Sequence, residues 1–264
     1  MHKTIYPLTA ILFALLTMAA CSHIDEDERL IYEKPAPSTK TVLLEDFTGQ
    51  RCVNCPKGSE IIEQLTTEFG SSVIAVGIHG GPLGFAGNAR NKGLATAEGD
   101  EYYNHWQLEY QPVGLIDRHG AVNYADWTSQ VRKALQQTAP LTLGIHATST
   151  GQKIYISVLG QGTEGASTGH LQVWLVEDSI TAMQLMPDGS TNANYVHNHV
   201  FRTSVNGTWG EPYTVKESET IITEMTATID DDWVKKHLSV IAFVYNDNGV
   251  LQAAKSGVII NTEE

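Results

Sequence analysis

The sequence predicts an α/β domain followed by an all-β sandwich, carried behind a signal peptide. Three observations predict it. Between Thr41 and Gln137, short apolar runs alternate with stretches of helical periodicity. After Ala139-Pro140, short strand-like runs follow one another with Gly and Asn turns between them. Leu8 to Ala20 is apolar but too short to span a bilayer.

Lys3 gives that leader a positive start, and Ala19-Ala20 stands directly before Cys21. Small residues before a cysteine resemble a bacterial lipoprotein signal, which implies cleavage before Cys21 and a lipid attached to it. Met18 stands where such signals more often carry Leu, and an ordinary signal peptide with an incidental Cys is the alternative. Residues 1–20 are therefore expected as signal peptide and residues 21–40 as a tether. Asp25 to Glu28 is a self-repelling run and Pro35-Ala36-Pro37-Ser38 is stiff and polar. The acidic cluster after Cys21 resembles the surface-export signal of some Gram-negative lipoproteins, so surface display and a periplasmic face both stay open.

The formal net charge of −13 leaves no electrostatic footprint for nucleic acid. No later apolar stretch approaches transmembrane length, so membrane attachment is expected through lipid.

Residues 41–139 are expected to form the α/β domain. Val42 to Phe47 reads as a strand. Pro56 to Phe69 reads as a helix with Ile61, Ile62, Leu65 and Phe69 on one face and a stop at Gly70. Val73 to Ile78 is apolar on both faces, which suits a central parallel strand covered on each side. Asp100 to Leu108 is a helix candidate. Val113 to Asp117 is a strand turning at Arg118-His119-Gly120, and Asp126 to Gln137 a helix capped by Asp126.

Cys52 and Cys55 sit where the first strand hands over to the first helix, and apart from Cys21 they are the only cysteines. Unpaired N–H groups and the helix dipole stabilise a thiolate there, which would make an exposed Cys52 the nucleophile, with Arg51 adding to the effect. In an exported protein the same pair can instead persist as an inert disulfide. A zinc site would need ligands beyond this pair, and His79 or His119 could supply one only through tertiary proximity. No metal and no cofactor is expected.

Residues 140–264 read as seven strands: Leu141 to Thr148, Lys153 to Leu159, Gly169 to Glu177, Val196 to Ser204, Thr220 to Thr228, Leu238 to Tyr245 and Leu251 to Val258. Turns at Gly151-Gln152, Asp188-Gly189, Asn206-Gly207 and Asn246 to Gly249 separate them. Spacing of this kind suggests an immunoglobulin-like sandwich without the Cys-Trp-Cys signature of antibody domains. His197 and His199, two apart on one expected strand, would share a face but lack a third metal ligand. Asp230 to Asp232 are expected to cap a short helix from Trp233 to His237.

The first domain resembles thioredoxin. Asp46-Phe47 ends a strand with four residues intervening before the Cys52–Cys55 pair, and Gln111-Pro112 opens a later strand with Gly120 eight residues past the proline. The resemblance implies that Cys52 attacks a substrate disulfide and Cys55 resolves the mixed disulfide. It implies that Asp46 is the buried carboxylate taking the proton from Cys55. It also implies that Pro112 is cis, with the Gln111 backbone and Arg51 at the docking surface for an extended peptide. Arg51 stands where thioredoxins usually have Trp, and Val53-Asn54 replaces Gly-Pro. The glycine-rich stretch between Gly77 and Pro112 is longer than that fold needs and is placed to cover the site.

Nearly the whole mature chain also resembles outer-membrane lipoproteins related to a twenty-eight-kilodalton outer membrane protein of Gram-negative anaerobes. The residues carrying this are Leu44 to Gly49 with the two cysteines, Gly99 to Tyr103, Tyr195 to Val200, Asn206 to Gly210 and Val240 to Tyr245. Two functions follow as expectations. One is thiol–disulfide exchange on exported proteins from a lipid-anchored position in the outer membrane. The other is a non-enzymatic surface lipoprotein that binds a partner through the sandwich and keeps Cys52–Cys55 as a structural disulfide.

Overall fold

The structure, a computed structural model, describes residues 38–261. The expected signal peptide, Cys21 and the tether as far as residue 37 lie outside the described residues. The last part of the expected tether is folded. Ser38–Thr39 forms strand β1, paired antiparallel with Thr138–Ala139, and Lys40 is buried with its Nζ 3.3 Å from Asp117 Oδ2. A lysine looks like a surface residue in sequence; here a buried carboxylate 77 residues away gives it a partner.

The first half runs β2 (Val42–Thr48), α1 (Cys55–Phe69), β3 (Val73–His79), α2 (Ala97–His105), β4 (Val113–Ile116), β5 (Ala121–Asn123), α3 (Trp127–Ala134) and β6 (Thr138–Ala139). Strand β2 pairs parallel with β3 and antiparallel with β4, which in turn pairs with β5. Every residue of β2 and β3 is buried, so the two-sided apolar run marks a central strand covered on both faces. The alternation of strand side chains then sorts them. Val42 and Leu44 pack with Ile62 and Leu65 of α1 and Trp127 and Val131 of α3. Leu43 and Phe47 point the other way, into a cluster with Tyr102, Trp174, Phe201 and Phe243.

Helix ends differ from the expected ones for local reasons. Helix α2 starts three residues earlier than expected, because Thr96 Oγ1 accepts the Gly99 N–H at 2.9 Å. It ends at His105, before the left-handed Gln107 (φ 50°). Asp126 makes no side-chain cap on α3; it continues from a 3₁₀ turn, Tyr124–Asp126, whose start is capped by Asn123.

The second half comprises β7 (Leu141–Thr150), β8 (Lys153–Gly162), β9 (Ser167–Glu177), β10 (Ile180–Leu185), β11 (Thr191–His197), β12 (Val200–Ser204), β13 (Glu211–Val215), β14 (Thr220–Thr228), β15 (Leu238–Asn246), β16 (Gly249–Gly257) and β17 (Ile259–Ile260). Strands β14, β8, β7 and β17 make one sheet, and β10 and β11 a separate hairpin. The remaining long strands extend the first-half sheet in the order β16-β15-β9-β12-β3-β2-β4-β5, with β13 alongside β9. The sheet therefore crosses the expected boundary at residues 139 and 140, and the described residues belong to one compact unit. A second core, with Ile154, Ile156, Val173, Leu175, Val240 and Ala242, joins the four-stranded sheet to β9 and β15.

Three expectations for this half are corrected. The single strand expected from Val196 to Ser204 is broken at Asn198-His199, because His199 takes φ 56° and its N–H donates to Asp178 Oδ1 at 2.6 Å. His197 and His199 thus belong to different environments rather than to one strand face. The helix expected from Trp233 to His237 is only a 3₁₀ turn at Lys235–His237. Strands β10 and β13 are additional, and β13 carries Pro212, which hides its strand character in sequence.

Candidate functional site

Helix α1 begins at Cys55, and Cys52 lies three residues before it in a disulfide with Cys55. The peptide bond between Gln111 and Pro112 is cis and leads into β4, which neighbours β2. Gly58 of α1 lies against Pro112: a Cβ there would meet the proline Cβ at 3.4 Å. The structure thus gathers Asp46, Cys52, Cys55 and Pro112 around the start of α1.

The expected exposed nucleophile is not found: Cys52 is 1% and Cys55 2% exposed. Three buried glutamines explain why. Gln184, on β10, donates to the carbonyls of Cys52 at 2.8 Å and Gly49 at 3.3 Å. Gln50 donates to the carbonyls of Lys92 and Met183, both at 3.0 Å, and accepts the Leu94 N–H at 2.9 Å. Gln111 donates to the carbonyls of Thr48 at 2.6 Å and Gly80 at 3.0 Å, and accepts from the Leu83 N–H. The glycine-rich stretch therefore does lie over the cysteine loop, and the β10–β11 hairpin closes it from the other side. The packing is close enough that a Cβ on Gly49 would sit 2.2 Å from the Leu83 carbonyl oxygen. Arg51 is exposed, and its guanidinium stacks over Phe85 of the covering loop at 4.9 Å.

Beneath the disulfide, strand alternation places Asp46 and Thr48 on the α1 side of β2, and Gly77 and His79 on the same side of β3. These residues, with Cys55, Gln184 and His197, line a cavity of about 240 Å³. Gly77 helps to create the space, since no atom lies within 3.7 Å of the Cβ it lacks. Exposed Glu60, Glu63, Val196 and Asn198 border the opening. The site lies at the carboxyl ends of parallel strands, where open α/β sheets bind ligands.

The cavity holds buried polar atoms without partners: Asp46 Oδ1, His79 Nδ1 and His197 Nε2. Burial alone pushes the Asp46 carboxyl up to about 8, so it is largely uncharged at neutral pH. Burial, reinforced by His197 and Arg202, holds His79 well below the usual imidazole range, and burial brings His197 down to about 4. Both imidazoles are therefore neutral. Their rings meet edge to face with centroids 5.3 Å apart. Among the described residues, no group of three or more His, Cys, Asp and Glu is arranged to hold a metal.

Residues 99–262 match a family model described as Outer membrane protein Omp28. The chain belongs to the Omp28 family. Its location is accordingly the outer membrane. The Omp28 match begins after the cysteine pair, so it covers the hairpin wall of the cavity but not Asp46, Cys52 or Cys55. Three solved structures are similar. HBP35 of Porphyromonas gingivalis is 16% identical with a TM-score of 0.67, covering 86% of this chain and 79% of that one. Protein AGR_C_4864 from Agrobacterium tumefaciens is 15% identical with a TM-score of 0.52, covering 87% and 98%. Both share the fold. A domain of the outer membrane lipoprotein Omp28 from Porphyromonas gingivalis is 25% identical, with a TM-score of 0.35 and coverage of 47% and 92%. No curated protein matches the chain.

Sequence reasoning found Asp46, the cysteines and Pro112 but missed Gln50, Gln184 and the pairing of His79 with His197. Glutamines carry no motif, and the two histidines meet only because Val200 of β12 pairs with Gly77 of β3.

Proposed function

We propose that this Omp28-family protein is anchored to the outer membrane by lipid on Cys21 and exchanges its Cys52–Cys55 disulfide with thiols of the cell envelope. In this reading the first half is a thioredoxin-like layer, and the strands after Pro140 are an immunoglobulin-like sandwich fused to its sheet. The observation that carries it is Asp46, a buried carboxyl with no hydrogen-bond partner on Oδ1, bordering the same cavity as Cys55. An unpaired buried carboxyl is costly, and a proton exchanged during thiol chemistry gives it a use. The cis Gln111-Pro112 bond beside α1 supports the same reading.

The test is equilibration of the purified protein in glutathione buffers of graded potential, with Cys52→Ala as control. A reversible transition within the glutathione range supports exchange; a pair that stays oxidised throughout overturns it. The near-complete burial of both cysteines favours a second reading, in which the disulfide is structural and the protein acts by binding a partner. A potential below about −300 mV would support that alternative.

A further inference from the structure

We infer that the disulfide exchanges with low-molecular-weight thiols that enter the cavity and attack Cys55, and not with thiols of folded proteins attacking Cys52. This rests on the thiol–disulfide reading above and names its substrate class.

The outer approach is occupied by the protein itself. The Cys52 N–H donates to the Gly49 carbonyl at 3.0 Å, its own carbonyl is held by Gln184, and the neighbouring Arg51 N–H donates to Leu83 at 3.1 Å. A peptide docking along Gln111-Pro112 would have to displace Leu83, whose N–H already binds the Gln111 side chain. Of the two cysteines, only Cys55 borders the cavity. Its volume of 240 Å³ equals that of roughly eight waters at about 30 Å³ each. That admits a whole molecule the size of free cysteine and is too small for any part of a folded chain beyond a single side chain. The unpaired atoms of Asp46, His79 and His197, each residue more than nine-tenths buried, offer hydrogen bonds to such a polar guest.

The chemistry balances with the thiol as the reductant. A first R–SH gives its proton to the ionised fraction of Asp46, and its sulfur attacks Cys55 Sγ. One S–S bond forms, the Cys52–Cys55 bond breaks, and Cys52 leaves as thiolate and takes up the proton. A second R–SH then attacks the entering sulfur, releasing R–S–S–R and leaving Cys55 as thiol. Two thiols are oxidised and one protein disulfide is reduced.

The experiment treats the oxidised full chain with free cysteine or with reduced thioredoxin as a folded dithiol. The reaction is quenched with acid, and fragment mass spectrometry locates the first cysteinyl adduct. The expected result is an adduct on Cys55, reduction by free cysteine at least about tenfold faster than by thioredoxin at equal thiol concentration, and a free-cysteine rate that falls about tenfold in Ser59→Trp, since Ser59 of α1 lines the cavity and the indole fills it. Gly77→Ala, whose Cβ meets only ordinary contacts, is the milder second variant and should slow free cysteine in the same direction. An adduct on Cys52, or reduction by thioredoxin as fast as by free cysteine, overturns the inference while leaving exchange intact. No reaction with either reductant overturns exchange itself and this inference with it.

Discussion

The Gln184 side-chain amide donates to the Cys52 carbonyl at 2.8 Å across 132 positions of sequence. One hydrogen bond thus ties the cysteine loop of the α/β layer to a hairpin strand in the second half. The cysteine pair is a local motif, but its accessibility is set from far away.

Replacing Gln184 with Ala should uncover that loop. It leaves the buried carbonyls of Cys52 and Gly49 without this donor, at a cost of about 1–3 kcal/mol. The denaturant midpoint should fall accordingly, and reduction of the disulfide by thioredoxin should accelerate. A midpoint within error of the parent would contradict the clamp.

Asp46 should make stability depend on pH. Its folded pKa of about 8 lies above the unfolded carboxyl value, so the folded state holds a proton that the unfolded state releases. Stability is therefore full below about pH 4 and declines as pH rises toward 8, by up to about 1.4 kcal/mol per pH unit from this group alone. Asp46→Asn removes that dependence, so the variant should gain on the parent progressively between pH 4 and 8. Parallel pH curves for the two proteins would refute the buried, partnerless carboxyl.

Glu45 and Arg118 form a buried pair at 3.1 Å on the opposite face of β2. The guanidinium also lies 4.7 Å from the Phe243 ring and 4.3 Å from the Tyr245 ring, both in β15. Arg118→Met strands the Glu45 carboxyl and should cost about 3–5 kcal/mol, with Glu45→Gln added to it recovering part of the loss. Chemical unfolding of the single and double variants measures both. A double variant no more stable than the single would show that Arg118 acts through its ring contacts alone.

The disulfide itself closes a very short loop, so its entropic contribution is at the low end, about 2 kcal/mol. The Cys52→Ala/Cys55→Ala double variant should remain folded with that loss in chemical unfolding. Collapse of the fold would favour the structural reading of the pair.

What the sequence alone determined follows from local periodicity. Two-sided apolar runs made β2 and β3 central strands, the Asp46-Phe47 offset set a carboxyl at the end of the strand that leads to the cysteine pair, and turn residues punctuated the second half. Element ends shifted by a few residues where Thr96 or Asn123 made a cap that the pattern did not single out. The tertiary structure alone decided that one sheet crosses the expected boundary, because β12 reaches β3 at a single register position, Val200 against Gly77. That junction brings His197 beside His79 and lays the hairpin over Cys52. Such contacts depend on hydrogen bonds between residues more than a hundred positions apart, which leave no periodic trace in the chain. The sequence thus marked where a disulfide would form, and packing between the two halves determined which of its cysteines borders an open cavity.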